Sequence, residues 1–148
     1  MTFETDPRLL ANSVPVAALE LSDLRLMDDA RFPWLVLIPR AAGASELDDL
    51  DADQQAQLMT EIIAAGGIVR QVGEALDRPV DKVNTAALGN VTSQLHIHVV
   101  GRRRDDPLWP DPIWGRGGGV AYEAGELERL AGLIAAWSDK TISAAGSA

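Results

Sequence analysis

His96 and His98 lie two positions apart and are the only histidines in the chain. The run 94–100 around them alternates as a half-buried β-strand does, because successive side chains of a strand point to opposite faces of the sheet. Its odd-numbered positions carry Leu, Ile and Val, whereas its even-numbered positions carry Gln, both histidines and Val. An unperturbed imidazole titrates near neutral pH, with a pKa of about 6.5. The pattern therefore predicts a strand with one core face and one face that forms the floor of a site.

Paired histidines have two other interpretations. They can be structural residues that are half-buried and hydrogen-bonded, or they can be half of a metal site. A closed metal site needs three or four protein ligands. The chain has no cysteine and no third histidine, so Asp or Glu would have to complete the set. A metal site is therefore the weaker prediction, and no metal ligand is assigned.

Composition limits the classes of partner. The chain has 148 residues, enough for one domain, and a net charge of −9. Such a charge disfavours nucleic acid, whose binding depends on many Lys and Arg contacts to phosphates. No apolar stretch approaches the roughly 20 residues of a membrane span, and the first residues lack the pattern of a signal peptide. We expect a single cytoplasmic domain over residues 1–148, with loosely ordered termini at 1–13 and 141–148.

Strand and helix signals surround the paired histidines. A long helix with Asp51 or Asp53 as its N-cap carries one apolar stripe between residues 58 and 76. The pair Gly66-Gly67 within it allows either close packing or a kink. A second amphipathic helix is predicted from Leu127 to Trp137. The strand candidates cover residues 14–21, 24–27, 34–38, 80–86 and 94–100, with a turn at Ser22-Asp23 between the first two.

The strand with the paired histidines resembles the signature of the histidine triad (HIT) superfamily, His-φ-His-φ-His-φ-φ with φ apolar. Gln94 stands in the first histidine position. The likeness extends to Gly89-Asn90 upstream, to Arg102 downstream, and to the stretch 32–40, which is similar to the family's apolar strand ending in Ile/Val-x-Pro-Arg/Lys. The resemblance covers roughly residues 14 to 104. It implies an α+β fold with an antiparallel sheet of about five strands, one long helix and a C-terminal helix.

The resemblance implies a nucleotide hydrolase or transferase. In HIT enzymes the middle histidine, here His96, attacks the α-phosphorus of a nucleotide and forms a covalent nucleotidyl-histidine. The attacking nitrogen must carry its lone pair, so the other nitrogen must hold the proton against the main-chain carbonyl of the first signature position. Gln94 supplies that carbonyl as well as histidine would. His98 matches the last histidine and would bind the phosphate and assist the leaving group.

The substrate-binding residues implied by the resemblance are polar side chains near the signature. Asn90 matches an amide position that contacts phosphate oxygens, and Asn84 resembles an asparagine before the same loop, with a spacing that differs by one residue. Gln94 lies on the same predicted face as the histidines. Asp28 or Asp29 can hold the ribose hydroxyls, because a carboxylate accepts from both at once; aspartates in such a position also form turns.

Several expectations concern the substrate and the alternatives. The implied substrate is a dinucleoside polyphosphate or a nucleoside phosphoramidate. No tightly bound cofactor is implied, and Mg²⁺ can accompany a polyphosphate. Trp34 stands where many members have another histidine, so it is either core packing or a change made together with Gln94. A nucleotide-binding module without catalysis and a His-x-His metal protein remain open as other functions.

Two further expectations concern charge and assembly. The basic cluster Arg102–Arg104 is either a solvated strand end or a positive potential beside a small anionic ligand. A homodimer is expected, because Trp109, Ile113 and Trp114 lie on a proline-rich arm too short to form its own core. Exposed aromatic residues are typical of interfaces, and HIT relatives commonly dimerise.

Overall fold

A five-stranded antiparallel sheet carries two long helices on one face. The structure is a computed structural model that describes residues 1–146, with side chains described up to residue 140. The elements run in the order α1 (Pro7–Ala11), β1 (Ser13–Ala18), β2 (Ser22–Met27), β3 (Trp34–Pro39), α2 (Ala52–Ala75), β4 (Lys82–Ala86), β5 (Ile97–Arg102) and α3 (Glu126–Gly146), with a 3₁₀ turn at Leu47–Asp49. The predicted α+β class is therefore confirmed.

The strand of the paired histidines lies inside the sheet. The strand order is β1-β2-β3-β5-β4, and every neighbouring pair is antiparallel. His98 is opposite Val36 on β3 and opposite Ala86 on β4. A strand that is hydrogen-bonded on both sides and buried has a strongly specified register, because a slip of one residue would turn every side chain to the other face. The sheet thus fixes which way His98 points, and His96 lies one residue before the paired segment.

The main core lies between the sheet and the two long helices. Leu95, Ile97 and Val99 are all buried in it, as the alternation predicts. Leu130 and Ile134 of α3 are fully buried in the same cluster. Burial of one such aliphatic side chain contributes roughly 1.5–3 kcal/mol. This packing leaves the opposite face of the sheet, called the helix-free face below, uncovered by the two long helices.

Helix α2 begins at Asp51 rather than Asp53. The Asp51 side chain accepts from the Gln54 backbone N–H at 2.9 Å, and the Gln54 side chain accepts from the Asp51 N–H at 3.0 Å, which is a capping box. Gly66-Gly67 lies inside the continuous helix. The close approach is instead at Gly73, where an added Cβ would lie 2.7 Å from the Arg78 carbonyl oxygen. A periodicity argument missed this contact because it depends on the chain folding back after the helix.

A second, smaller apolar cluster covers the helix-free face. It consists of Phe32, Val100 and Ile113, with Trp34 and Trp114 among the half-buried residues packed against it. The arm after β5 thus packs on the sheet of its own chain. Trp109 and Trp114 are half-buried rather than exposed, and Ile113 is buried. The sequence alone could not predict that the arm packs against Val100 of β5, because this contact joins segments with no local pattern in common.

Helices occur near both ends of the described chain. The segment 1–13 contains α1, whose N-cap Asp6 accepts from the Arg8 N–H at 2.8 Å. Helix α3 continues to Gly146, because no proline interrupts it; residues 147 and 148 of the expected loose terminus lie outside the described residues.

The turn between β1 and β2 lies earlier than predicted. Ser22 and Asp23 belong to β2, and the Leu19 N–H donates to the Ser22 carbonyl at 2.8 Å. Within residues 1–146 no helix has the length and apolar character needed to cross a membrane.

Candidate active site

The two histidines form the centre of the helix-free face. His98 lies within β5 and His96 immediately precedes it. Their side chains are largely enclosed, with 6% and 9% of each residue exposed. The ring centroids are 4.9 Å apart and the rings meet edge to face. The two imidazoles are therefore close enough to act on one substrate group.

His96 is held in a defined tautomer by the main chain. Its Nδ1 lies 2.6 Å from the carbonyl oxygen of Gln94. A carbonyl oxygen only accepts, so Nδ1 carries a proton, and in the neutral ring Nε2 then has the lone pair. This is the geometry that a nucleophilic imidazole requires.

His98 is held by an indole. Trp34 Nε1 donates to His98 Nδ1 at 3.1 Å, and the two ring centroids are 5.6 Å apart. Trp114 packs on the imidazole with a centroid distance of 5.8 Å. Burial among these rings, followed by repulsion from His96, lowers the pKa of His98 to about 4. His98 is therefore neutral at pH 7.

Two cavities open beside the histidines. A cavity of about 230 Å³ borders His96 and is lined by residues 45–48 and 87–89. A cavity of about 610 Å³ borders His98 and is lined by Trp34, Trp114 and parts of the segment 115–121. The larger cavity lies in the size range that is typical of small-molecule sites.

The side chain of Gln94 is directed to the N-terminal segment. Gln94 Oε1 accepts from the Asp6 N–H at 2.8 Å, and Gln94 Nε2 donates to the Glu4 carbonyl at 2.8 Å. Arg8 Nη1 adds a hydrogen bond of 2.9 Å to the Val91 carbonyl in the loop before the histidines. The N-terminal segment is thereby fastened along the edge of the site.

Asp28 and Asp29 anchor the segment that follows the arm. Asp28 Oδ1 accepts from the Tyr122 N–H at 2.8 Å. Asp29 forms an ion pair with Arg31 at 2.8 Å and accepts from the Val120 N–H at 3.4 Å. Burial raises the pKa of Asp29, but the hydrogen bonds from Arg31 outweigh it, so the pKa lies below its ordinary value. Both aspartates line the larger cavity.

Asn84 lies beside a buried arginine. Asn84 Oδ1 accepts from Arg102 Nη1 at 3.1 Å. Arg102 is 1% exposed and forms a bidentate ion pair with Asp106 at 2.7 and 2.9 Å. Its charge is thus compensated inside the protein. The sequence predicted that the basic cluster is either a solvated strand end or a positive potential for an anionic ligand. Arg102 fits neither prediction, because it is buried and paired with Asp106.

Asn90 is exposed on the loop 87–93, next to Gly89 of the smaller cavity. The hydrogen bonds among the described side chains do not include its amide. Gly89 has a φ of 75°, a conformation that favours glycine and turns the loop toward the site. Within the part of the chain that the structure describes, no group of three or more acidic or histidine side chains is arranged to hold a metal ion.

Known proteins share both the sequence features and this architecture. A family model described as "HIT domain" matches residues 11–105. Histidine triad proteins of known structure from Bradyrhizobium japonicum and Sinorhizobium meliloti are 38% and 37% identical, with TM-scores of 0.83 and 0.78. The alignments cover 95% of this chain in both cases, and 99% and 97% of those chains.

The chain belongs to the histidine triad (HIT) family. A further HIT protein of known structure, from Marinobacter aquaeolei, is 30% identical, with a TM-score of 0.81, 95% coverage of this chain and 99% of that chain. No curated protein matches the chain at a significant level. This HIT protein retains the second and third signature histidines and has Gln94 in the first position.

Sequence reasoning missed three parts of the HIT site. It did not place the N-terminal segment against Gln94, because residues 4–8 carry no periodic pattern. It did not pair Trp34 with His98. The available signal was that Trp34 stands where many HIT members have another histidine. It also did not bring Trp114 onto the histidine face, because that contact joins segments with no local relation.

Proposed function

We propose that this HIT protein is a nucleotide hydrolase or transferase whose nucleophile is His96. The proposal rests above all on the 2.6 Å hydrogen bond between His96 Nδ1 and the Gln94 carbonyl, which leaves a lone pair on Nε2. His96 Nε2 forms a bond to the α-phosphorus while the bond to the leaving group breaks. Water or another acceptor then displaces the histidine from the covalent nucleotidyl-histidine.

Other residues are proposed to hold the substrate. Asn90 on its exposed loop would contact phosphate oxygens from the side of the smaller cavity. Asp28 is the better ribose ligand of the two aspartates, because only its Oδ1 is used by the Tyr122 amide, whereas both oxygens of Asp29 accept hydrogen bonds from Arg31. Asn84, Asp29 and the Gln94 side chain would then support the site through their neighbours rather than by direct contact.

The second candidate function is a nucleotide-binding module without catalysis. It is supported by Gln94 in the first signature position, because one histidine of the signature is absent and the Gln94 side chain is held by the N-terminal segment. The two functions differ in whether a covalent intermediate forms.

Trapping of the nucleotidyl-histidine tests the choice. The protein is incubated with an adenosine polyphosphate labelled at the α-phosphorus and then denatured. We expect label on the protein that is stable in base and released by acid, as a phosphorus–nitrogen bond is. His96→Asn should bind the nucleotide and carry no label. Binding by the unaltered protein, with neither label nor product, would establish the binding module instead.

We also propose a homodimer, on a different surface from the arm. Met59 and Ile63 lie four residues apart on α2, with 56% and 69% of their surface exposed. Residues at this spacing share a helix face. Exposed large aliphatic side chains on one face favour contact with a second copy of the chain.

A further inference from the structure

The hydrogen bond between Trp34 and His98 fixes where the proton of His98 lies. An indole N–H is only a donor. The 3.1 Å contact from Trp34 Nε1 to His98 Nδ1 therefore requires a lone pair on Nδ1. The single proton of the neutral ring must then be on Nε2. Position 34 thus sets the tautomer of His98, just as the Gln94 carbonyl sets that of His96.

We propose that Trp34 is a positioning residue that keeps His98 neutral with its proton on Nε2, so that the site selects nucleotides whose leaving group departs as a stable anion. The substrate class is then phosphate anhydrides, such as dinucleoside polyphosphates, in preference to phosphoramidates with an amine leaving group. The inference rests on the proposed function of His96.

The geometry opposes a charged His98. An imidazolium carries protons on both nitrogens. Its Nδ1–H would point at the indole N–H of Trp34, so the hydrogen bond would be lost and two donors would face each other. Trp114 on the other side and His96 at a centroid distance of 4.9 Å complete an environment that is poor in acceptors. The low pKa of His98, caused by burial and by His96, agrees with this geometry.

The charged groups around the larger cavity do not favour the charged form of His98. Asp29 and Arg31 neutralise each other at 2.8 Å. Arg8 of α1 and Asp28, which follows β2, also line the cavity with opposite charges. From its own strand, His98 faces His96, which as a cation would oppose a second positive charge. The net field therefore supplies no strong counter-ion for an imidazolium at position 98.

The chemistry of the leaving group follows from the neutral ring. When His96 Nε2 bonds to phosphorus, the P–O bond of an anhydride breaks and its electron pair stays on the departing phosphate oxygen. That oxygen is stable as an anion, and the Nε2–H of His98 needs only to donate a hydrogen bond. In the second step water attacks phosphorus, the P–N electron pair returns to His96, and the water proton passes to solvent.

An amine leaving group has a different requirement. Cleavage of a P–N bond would place the electron pair on nitrogen, and the amine must gain a proton as it departs. An imidazolium can give that proton, whereas a neutral imidazole holds its remaining N–H too strongly. General acid assistance of this kind is worth about 10²–10⁴-fold. Without this assistance, the rate of phosphoramidate cleavage should be lowered, whereas the rate of anhydride cleavage should change little.

Nitrogen NMR of ¹⁵N-histidine-labelled protein tests the tautomer directly. We expect His98 of the unaltered protein to carry its proton on Nε2 at pH 7 and to remain neutral at pH 5. Trp34→Phe keeps an aromatic ring but removes the donor, so it should mix the tautomers and raise the pH at which His98 titrates. Trp114→Phe is the matched control, because Trp114 packs on His98 and its Nε1 has no partner there. A proton on Nδ1 in the unaltered protein, or equal effects of the two variants, would overturn the assignment.

A comparison of two substrates tests the selection. We expect kcat/KM for diadenosine polyphosphate to exceed that for an adenosine phosphoramidate by about 10²-fold or more. In Trp34→Phe the ratio of the two kcat/KM values should fall by at least about tenfold. The phosphoramidate reaction of this variant should become faster as pH falls. Equal rates in the unaltered protein would overturn the substrate preference. Failure of both substrates to label His96 would instead overturn the proposed function, while the NMR result would still decide the role of Trp34.

Discussion

At position 94 the main chain and the side chain have separate tasks. The Gln94 carbonyl accepts from His96 Nδ1 at 2.6 Å, and any residue at this position would supply it. The side-chain amide instead binds the backbone of Glu4 and Asp6. With Gln94 in the first signature position, the main chain still supplies the carbonyl that contacts His96, and the side chain contacts the N-terminal segment.

Gln94→Ala should accordingly have a mild effect on catalysis. We expect kcat/KM to fall by about tenfold or less, equivalent to about 1.4 kcal/mol. The larger change should be faster hydrogen exchange in residues 4–8, because two hydrogen bonds to that segment are lost. A loss of a hundredfold or more, with the covalent step at His96 intact, would show that the amide itself handles the substrate.

Removal of His96, the proposed nucleophile, should lower the rate much more than Gln94→Ala does. His96→Ala is expected to lower kcat by about 10³-fold or more while nucleotide affinity stays within a few fold, because the ring acts on the transition state. Steady-state kinetics and equilibrium binding measure the two quantities. A variant that retains more than about a tenth of kcat would contradict covalent catalysis at this position.

At the scale of elements, the end of β5 is fastened by the ion pair of Arg102 and Asp106. Hydrogen bonds from Arg102 outweigh the effect of burial and keep the pKa of Asp106 below its ordinary value. A lowered folded-state pKa means that the stabilisation is present above the unfolded carboxyl pKa of about 3.9 and is lost as pH falls through the folded value. The arm therefore depends on an ionised Asp106.

Asp106→Asn should destabilise the protein most at neutral pH. Leaving Arg102 buried without its partner is expected to cost about 3–5 kcal/mol. Denaturant unfolding of both proteins measures the difference, which should shrink as pH falls below about 4. Asp105→Asn is the control, because Asp105 pairs with Arg103 at an exposed position and such pairs contribute at most about 1 kcal/mol.

Two glycines of α2 allow a matched comparison. An added Cβ at Gly73 would lie 2.7 Å from the Arg78 carbonyl and 2.8 Å from Val80 Cγ2, so Gly73→Ala should destabilise by about 1–3 kcal/mol. At Gly67 an added Cβ meets nothing within 4 Å. Gly67→Ala should therefore stabilise the helix by up to about 1 kcal/mol. Urea unfolding should therefore give a lower free energy of unfolding for Gly73→Ala and a higher one for Gly67→Ala. A change of the same sign in both variants would refute the packing argument.

At the scale of the whole molecule, the surface of α2 is the expected dimer contact. Light scattering should give twice the chain mass at micromolar concentration. The double variant Met59→Lys with Ile63→Lys should give the monomer mass, because buried charge at an apolar interface is costly. Val91→Lys is the control, since Val91 is exposed on a loop away from α2. A monomeric unaltered protein would exclude the homodimer.

Local patterns predicted much of the architecture. Alternation around His96 and His98 placed both rings on one face, and the candidate caps Asp51 and Asp53 marked the start of α2 to within two residues. Glu61 shows the limit of such patterns. It is buried on α2, where it accepts from the Leu21 N–H at 2.7 Å. Periodicity treats a glutamate as a surface residue and cannot detect a backbone donor from another element.

The sequence by itself determined the HIT signature and the two neighbouring imidazoles, because strand alternation and short motifs act over a few residues. Its resemblance to the HIT family implied the antiparallel α+β fold. The tertiary structure alone decided the partners of those residues. It brought Trp34 to His98, the N-terminal segment to Gln94 and the arm to the helix-free face. These contacts join positions that are up to 90 residues apart. Only the folded chain fixes such distances, and with them the tautomer of each neutral imidazole.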